Sequence, residues 1–275
     1  MLASIEQNMS ELAPYRKPEL FNEFLVKGYT AITLSSVSEE KFSDLLQTKI
    51  CLGTLITLYD DFADRPSQSN PFLLESLYQL DFKTHSLASE NHVIDFAKSL
   101  FENMHKILSC QPHYNQLIEI LNFDLKQFYS TNQYSSLVTA NPFINNQTEN
   151  RHYTHHNMGM IIAGMMDLMA SEKIQHSEFG AIREVLFLGQ RMGRIFNVLV
   201  TRQREALDGD ITGELAALKS EEEIALAVHK LRQEICVLHK KIQSFETQIT
   251  TFSVKSYLEG LIKVQKLHEK MEGII

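Results

Sequence analysis

The sequence has no tryptophan, and only 6 prolines, 11 glycines and 3 cysteines among its 275 residues. So little proline and glycine disfavours a fold of many strands and tight turns and suits long helices. Cys51, Cys110 and Cys236 are widely separated and odd in number. They form no CxxC pair and no disulfide framework, and they fit a reducing, cytoplasmic setting. An excess of basic residues is also missing: the formal charge of −8 argues against a nucleic-acid partner. The opening residues MLASIEQNMSELAPYRK lack the apolar core of a signal peptide. The longest apolar patch, Met158–Met166, is too short to span a bilayer, so no membrane span is expected. With no Pro/Gly/Ser-rich linker and no low-complexity stretch, one domain covering 1–275 is expected.

What is present is a chain 44% hydrophobic, ample for one sizeable core. Apolar residues recur at helical spacing over most of it, and no convincing period-2 strand occurs. Helices are predicted over 2–13, after Pro18, and from a Ser38 cap through Asp60–Asp64, stopped by Arg65-Pro66. Others follow from Pro71, His92, Pro112, Thr148 and Ser177, with Asp208-Gly209-Asp210 as an interruption. Ile224, Val228, Leu231, Ile235, Leu238, Ile242, Phe245, Ile249 and Phe252 alternate spacings of four and three. One or two long helices packed into a bundle, or a coiled coil, would both satisfy that stripe. The fold class is all-α.

Two stretches carry chemistry. Leu58–Arg65 reads LYDDFADR, with Asp60 and Asp64 on one helical face behind Leu52, Leu55 and Ile56. Carboxylates at the end of an apolar helix need a partner, and a hard cation is a common one. Further on, NVLVTRQRE places Asn197, Thr201 and Glu205 at intervals of four, along one stripe of a helix. An amide oxygen, a hydroxyl and a carboxylate make an oxygen-only donor set, which suits Mg²⁺ and, through it, phosphate. Either motif alone occurs by chance; together in an all-α chain they reinforce one another.

DDFAD and NVLVTRQRE resemble the paired motifs of class I terpene synthases, from about Ser38 to the end of the chain. The second motif departs at Val198, where that family usually carries Asp. The resemblance implies an α-helical bundle around a central active-site cavity. It implies three Mg²⁺ ions held by Asp60, Asp61, Asp64, Asn197, Thr201 and Glu205. Asp60 and Asp64 would bind directly, with Asp61 hydrogen-bonded to an arginine or joining on closure. Arg194, in GRIFN, would contact diphosphate, and Arg151 matches the position of a diphosphate-sensing arginine. Arg204 would add a further hydrogen bond. Gly159 would break the intervening helix and lend a carbonyl dipole to the cavity. His152, His155 and His156 form a cluster read as polar lining or surface rather than as a zinc site.

Without tryptophan, cation steering falls to Phe and Tyr. Tyr59, Phe62, Tyr78, Phe82, Tyr153 and Phe196 are the substrate-binding candidates, with Phe123 and Phe128 beside them. Met158, Met160, Met165 and Met166 are read as core before cavity wall. The C-terminal Arg-Tyr pair of many relatives is missing; Lys255 with Tyr257, or Lys263 with Lys266, would substitute. The resemblance points to small bacterial diterpene synthases of the ent-kaurene synthase kind. The expected substrate is a C20 prenyl diphosphate, geranylgeranyl or a copalyl-type bicyclic one, with farnesyl diphosphate as the alternative. No DxDD motif for protonation-initiated cyclisation is present, so a bicyclic substrate would come from a separate class II diterpene cyclase. The oligomeric state is left open by the sequence, with a homodimer admitted by the resemblance. A chain-elongating prenyltransferase is disfavoured because its second motif would be another DDxxD. A non-catalytic helical interaction protein would leave both motifs unexplained.

Overall fold

The computed structural model describes residues 1–64, 70–83, 91–208, 211–215, 218 and 220–272. Every regular element among them is a helix. In order these are α1 (Leu2–Leu12), α2 (Leu25–Ile32, entered through a π turn), α3 (Glu39–Asp64), α4 (Pro71–Leu77), α5 (His92–Leu108) and α6 (Tyr114–Ala140). They continue with α7 (Gln147–Tyr153), α8 (Met160–Ala170), α9 (Phe179–Asp208), α10 (Glu221–Gln243) and α11 (Val254–Lys270). The expected stop at Arg65-Pro66 lies outside the described residues, as do Gly209 and Asp210.

Short polar side chains start several helices by occupying otherwise unpaired N–H groups. Asn91 accepts from Val93 N, Asn146 from Glu149 N, and Ser253 from Ser256 N. Ser220 and Glu223 close a reciprocal capping box at the start of α10. The heptad-like stripe is divided between two helices: α10 ends at Gln243, a turn carries Phe245 and Ile249, and α11 begins at Val254. Ile224, Leu231, Leu238, Ile242, Ile249 and Phe252 are buried in the bundle, so the stripe serves packing.

Helix α3 is central, packed by α2, α4, α5, α6 and α8, while α9 packs on α8, α10 and α11. Helices α2 and α11 lie so close that a Cβ on Gly260 would stand 2.1 Å from the Ala31 carbonyl oxygen. Deep in the bundle Lys49 of α3 meets Asp167 of α8 at 2.8 Å, both side chains essentially without solvent contact. Thr33 Oγ1 accepts from the same ammonium at 2.6 Å, and Asp167 also accepts from Leu34 N at 3.0 Å. Burial pushes the Asp167 carboxyl up, and Lys49 and the Leu34 N–H work against that.

An aromatic layer fills the contact between α3 and α6. Tyr59 stacks on Tyr129 with ring centres 5.4 Å apart, and Tyr78 and Phe128 pack beside them. The Tyr59 hydroxyl donates to the Leu77 carbonyl at 2.7 Å. Phe82 packs edge-on against Phe101. These rings hold the elements around α3 together and leave its other face for the cavity.

Candidate active site

A cavity of about 160 Å³ opens between α2, α3, α9, α11 and the turn before α8. Asp60, Asp61 and Asp64 reach it from the last turn of α3, and Arg194, Asn197, Arg204 and Glu205 from α9. Arg16, from the segment between α1 and α2, adds a third guanidinium. Most of the remaining wall is apolar, including Leu20, Phe24, Ile56, Met160 and Val264, with Thr57, Asn157 and His268 as polar members.

Each α3 carboxylate has its own surroundings. Asp60 is half-buried and accepts from Asn157 Nδ2 at 2.5 Å. Asp61 is buried and gripped by Arg16, with Nη2 at 2.6 Å from Oδ1 and Nε at 3.2 Å from each oxygen. Asp64 is buried near the Tyr78 hydroxyl; burial and then the Asp64 charge raise that phenol's pKa.

On α9, the Thr201 hydroxyl lies 2.6 Å from Glu205 Oε1 and 3.5 Å from Asn197 Oδ1, and it also meets the Asn197 carbonyl at 2.9 Å. Three oxygens of three chemical kinds therefore converge within little more than two turns of helix. Arg194 Nη1 donates to Asn197 Oδ1 at 3.3 Å, while its buried Nε has no partner. Thr201 stands just behind the cavity wall. Among the described residues no three His, Cys, Asp or Glu side chains converge as a preformed metal site. The donor chemistry nevertheless fits Mg²⁺: every candidate atom is a hard oxygen, including the neutral amide and hydroxyl that carboxylate clusters lack.

The aromatic residues singled out from sequence do not line this cavity. Tyr59 lies one residue before Asp60, which turns it about 100° around the helix toward α6 and into the core. Tyr78 and Phe82 join that core, and Phe128 is buried within it. Phe62 is only partly buried against the core, and Phe123 is exposed. Tyr153 stacks on Tyr134 at 4.7 Å, held by its carbonyl accepting from Thr131. Phe196 lies behind His268, with ring centres 6.1 Å apart. The rings that do reach the cavity are Phe24 and Tyr29, from the region of α2.

Arg151 is also elsewhere. Its side chain is mostly exposed, 4.0 Å from Glu214, beside a surface depression bordered by His155, Arg183, Phe187 and Arg191. Burial pushes the Glu214 carboxyl up, but hydrogen bonds and charge from Arg191, with Arg194 and Arg151 nearby, hold it below the usual carboxylate range.

The predicted helix over Thr148–Ala170 is broken at Gly159, which adopts a left-handed φ of 59° between a 3₁₀ turn and α8. Gly159 itself is not in the wall; the break presents Asn157, Met158 and Met160 there instead. Met165 and Met166 are core. Neither substitute for the Arg-Tyr pair reaches the cavity: Lys255, Lys263 and Lys266 are exposed and Tyr257 is buried in the bundle. Helix α11 contributes Val264 and His268. Arg16, Asn157 and His268 are thus polar cavity residues that the motifs did not announce. They come from three separate segments, and nothing in their local sequence marks them.

No protein-family model matches the chain, and no curated protein sequence matches it. Solved structures do. Isoprene synthase from grey poplar leaves (Populus x canescens) superposes with a TM-score of 0.65 at 12% identity, over 98% of this chain and 54% of that one. The same enzyme in complex with three Mg²⁺ ions and dimethylallyl-S-thiolodiphosphate gives 0.66 at 14% identity, over 98% and 55%. The chain therefore spans about half the length of these structures, and the likeness establishes that it has their helical fold.

Proposed function

We propose that the protein is a class I terpene synthase, catalysing Mg²⁺-dependent ionisation of a prenyl diphosphate followed by cyclisation or rearrangement. One observation carries this reading: the carboxylates ending α3 and the Asn197–Glu205 stripe of α9 border the same largely apolar cavity, with three arginines in its lining. The isoprene synthase complex, with its Mg²⁺ ions and diphosphate analogue on the same fold, supports it.

Bound Mg²⁺, held by Asp60, Asp61, Asp64, Asn197, Thr201 and Glu205, would supply the positive charge that offsets charge developing on a leaving diphosphate. Arg16, Arg194 and Arg204 donate to the diphosphate oxygens, and those bonds strengthen as the C–O bond breaks. Arg194 enters with an unused Nε–H. The apolar wall excludes water from the allylic cation, and the Phe24 and Tyr29 rings offer it π faces. Arg151 would join as a diphosphate sensor only if the segment carrying it moved inward.

For the substrate, the motif context favours a C20 diphosphate, geranylgeranyl or copalyl-type, the latter supplied by a separate class II cyclase. A second reading, farnesyl diphosphate or a shorter chain, is favoured by the cavity of about 160 Å³, which is below the ~300 Å³ at which ordinary small-molecule sites begin. Incubation with Mg²⁺ and C5, C10, C15, C20 and bicyclic C20 diphosphates decides both questions, read by diphosphate release and gas chromatography. Turnover of none of them sinks the enzyme reading. Asp61→Asn and Asn197→Ala are each expected to lower turnover by at least ~100-fold while leaving the helical spectrum intact.

A further inference from the structure

His268 is 2% exposed, lies in the cavity wall, and is the sole imidazole there among the described residues. Its Nδ1 is 2.9 Å from the Val264 carbonyl, four residues back on α11. A carbonyl only accepts, so Nδ1 carries the hydrogen and Nε2 is left with its lone pair. That Nε2 is buried and has no partner. With Nδ1 turned to the backbone of α11, Nε2 is the only ring nitrogen left for a ligand in the cavity. Its neighbours are apolar: Phe24 meets it edge-on at 4.8 Å, Phe196 lies behind it, and Leu20, Tyr29 and Val264 share the wall. Leaving such a nitrogen unsatisfied is costly, and burial without a partner asks for an explanation.

Resting on the reading above, we propose that Nε2 of His268 is the base that ends the reaction, removing a proton from the carbocation left after diphosphate departs. The balance is simple. Heterolysis of the C–O bond leaves its electron pair on diphosphate and an empty orbital on carbon. A C–H bond adjacent to the final cationic carbon then breaks. Its electron pair becomes the new C=C bond, and the proton joins the Nε2 lone pair to give an imidazolium. Release of that proton to water restores the neutral ring, so the sum is prenyl diphosphate to hydrocarbon, diphosphate and a proton.

The environment suits this step. Burial pushes the ring's pKa down to about 4, while the Val264 carbonyl and Glu269 act the other way, so the ring is neutral at neutral pH. A carbocation is acidic enough that so weak a base suffices. A neutral imidazole also avoids placing a second positive charge against the cation during earlier steps. The cavity carboxylates and the diphosphate are rival bases, but they lie on the polar lining rather than on the α2–α11 wall.

The test compares wild type, His268→Gln and His268→Phe with C5, C10, C15, C20 and bicyclic C20 diphosphates and Mg²⁺, measuring products per diphosphate released. In both variants the main deprotonated hydrocarbon is expected to fall about tenfold or more as a share of product, replaced by alcohols or by earlier hydrocarbons. Unchanged shares, or an alcohol as the wild-type product, overturn the inference and leave the enzyme reading standing. No diphosphate release by the wild type overturns both. Should the variants fail to fold, ¹⁵N spectra of histidine in the intact protein decide. A neutral Nδ1–H ring at His268 is expected, and a charged or Nε2–H ring overturns the proposal.

Discussion

Arg16 and Asp61, 45 residues apart, form a two-point guanidinium–carboxylate pair, the shortest contact 2.6 Å, with both side chains nearly excluded from solvent. The segment ahead of α2 is thereby fastened to the middle carboxylate of DDFAD. The guanidinium occupies the place of a counter-ion to a residue that belongs to the proposed clamp.

Removing one partner of a nearly buried pair costs about 3–5 kcal/mol, because the other charge stays buried and alone. Arg16→Ala should therefore lower stability by roughly that amount in urea denaturation with chelator present. Mg²⁺ should recover part of the loss by taking over as counter-ion to Asp61. An equal loss with and without Mg²⁺ would show that Asp61 does not meet the metal.

The Lys49–Asp167 pair makes a contrasting case, since nothing places it at the cavity. Lys49→Met should destabilise by about 3–5 kcal/mol, leaving Asp167 buried without its ammonium. The double change Lys49→Met with Asp167→Leu should recover most of that, because a well-packed apolar pair often equals a buried ion pair. Thermal unfolding of both variants checks this, and a double variant no better than the single one refutes it.

Gly159→Ala tests the break before α8. The left-handed backbone costs a residue with a Cβ on the order of 1–3 kcal/mol. That Cβ would also stand 2.0 Å from Ile56 Cδ1 in the cavity wall, and overpacking adds a cost of similar size. Loss of more than about 2 kcal/mol in denaturant unfolding is expected, with product composition altered because Ile56 must move.

His268 also gives stability a pH dependence. Its ring titrates near 6.5 when unfolded and at about 4 when folded. Between those values the unfolded chain holds more protons, so acidification favours unfolding. The contribution is complete above pH 6.5, declines as pH falls toward 4 and is constant below. Asp167, whose carboxyl burial raises, acts with the opposite sign, so the measurement is a difference. Wild-type stability should fall more steeply than that of His268→Gln by about 1.4 kcal/mol per pH unit inside that window. Parallel curves would contradict it.

The helical class and the placing of DDFAD and the Asn197 stripe on two helices were legible because each depends on local periodicity or on a short motif. Asn197, Thr201 and Glu205 need only a straight helix to converge. The aromatic wall was not legible, since Tyr59 and Asp60 differ by one residue and which of them meets the cavity depends on where α6 packs. The break inside Thr148–Ala170 was visible as Gly159, but the direction in which it sends Arg151 was not. Arg16 and His268 enter from remote parts of the chain with no pattern around them, as contacts that only tertiary packing creates.

The wall made by the 158–160 segment has a further consequence. Met158 and Met160 flank Gly159, and the absence of a side chain on Gly193 makes room for the Met160 sulfur, which a Cβ there would meet at 2.3 Å. Unbranched thioethers with three rotatable bonds fill irregular space and tolerate replacement, whereas the α3 and α9 faces are tied into ion pairs and hydrogen bonds. The cavity is thus a mould with one soft side and two hard ones. Descendants of this chain could be re-cast to new carbon skeletons through positions 158, 160 and 193 while the ionising apparatus stayed untouched.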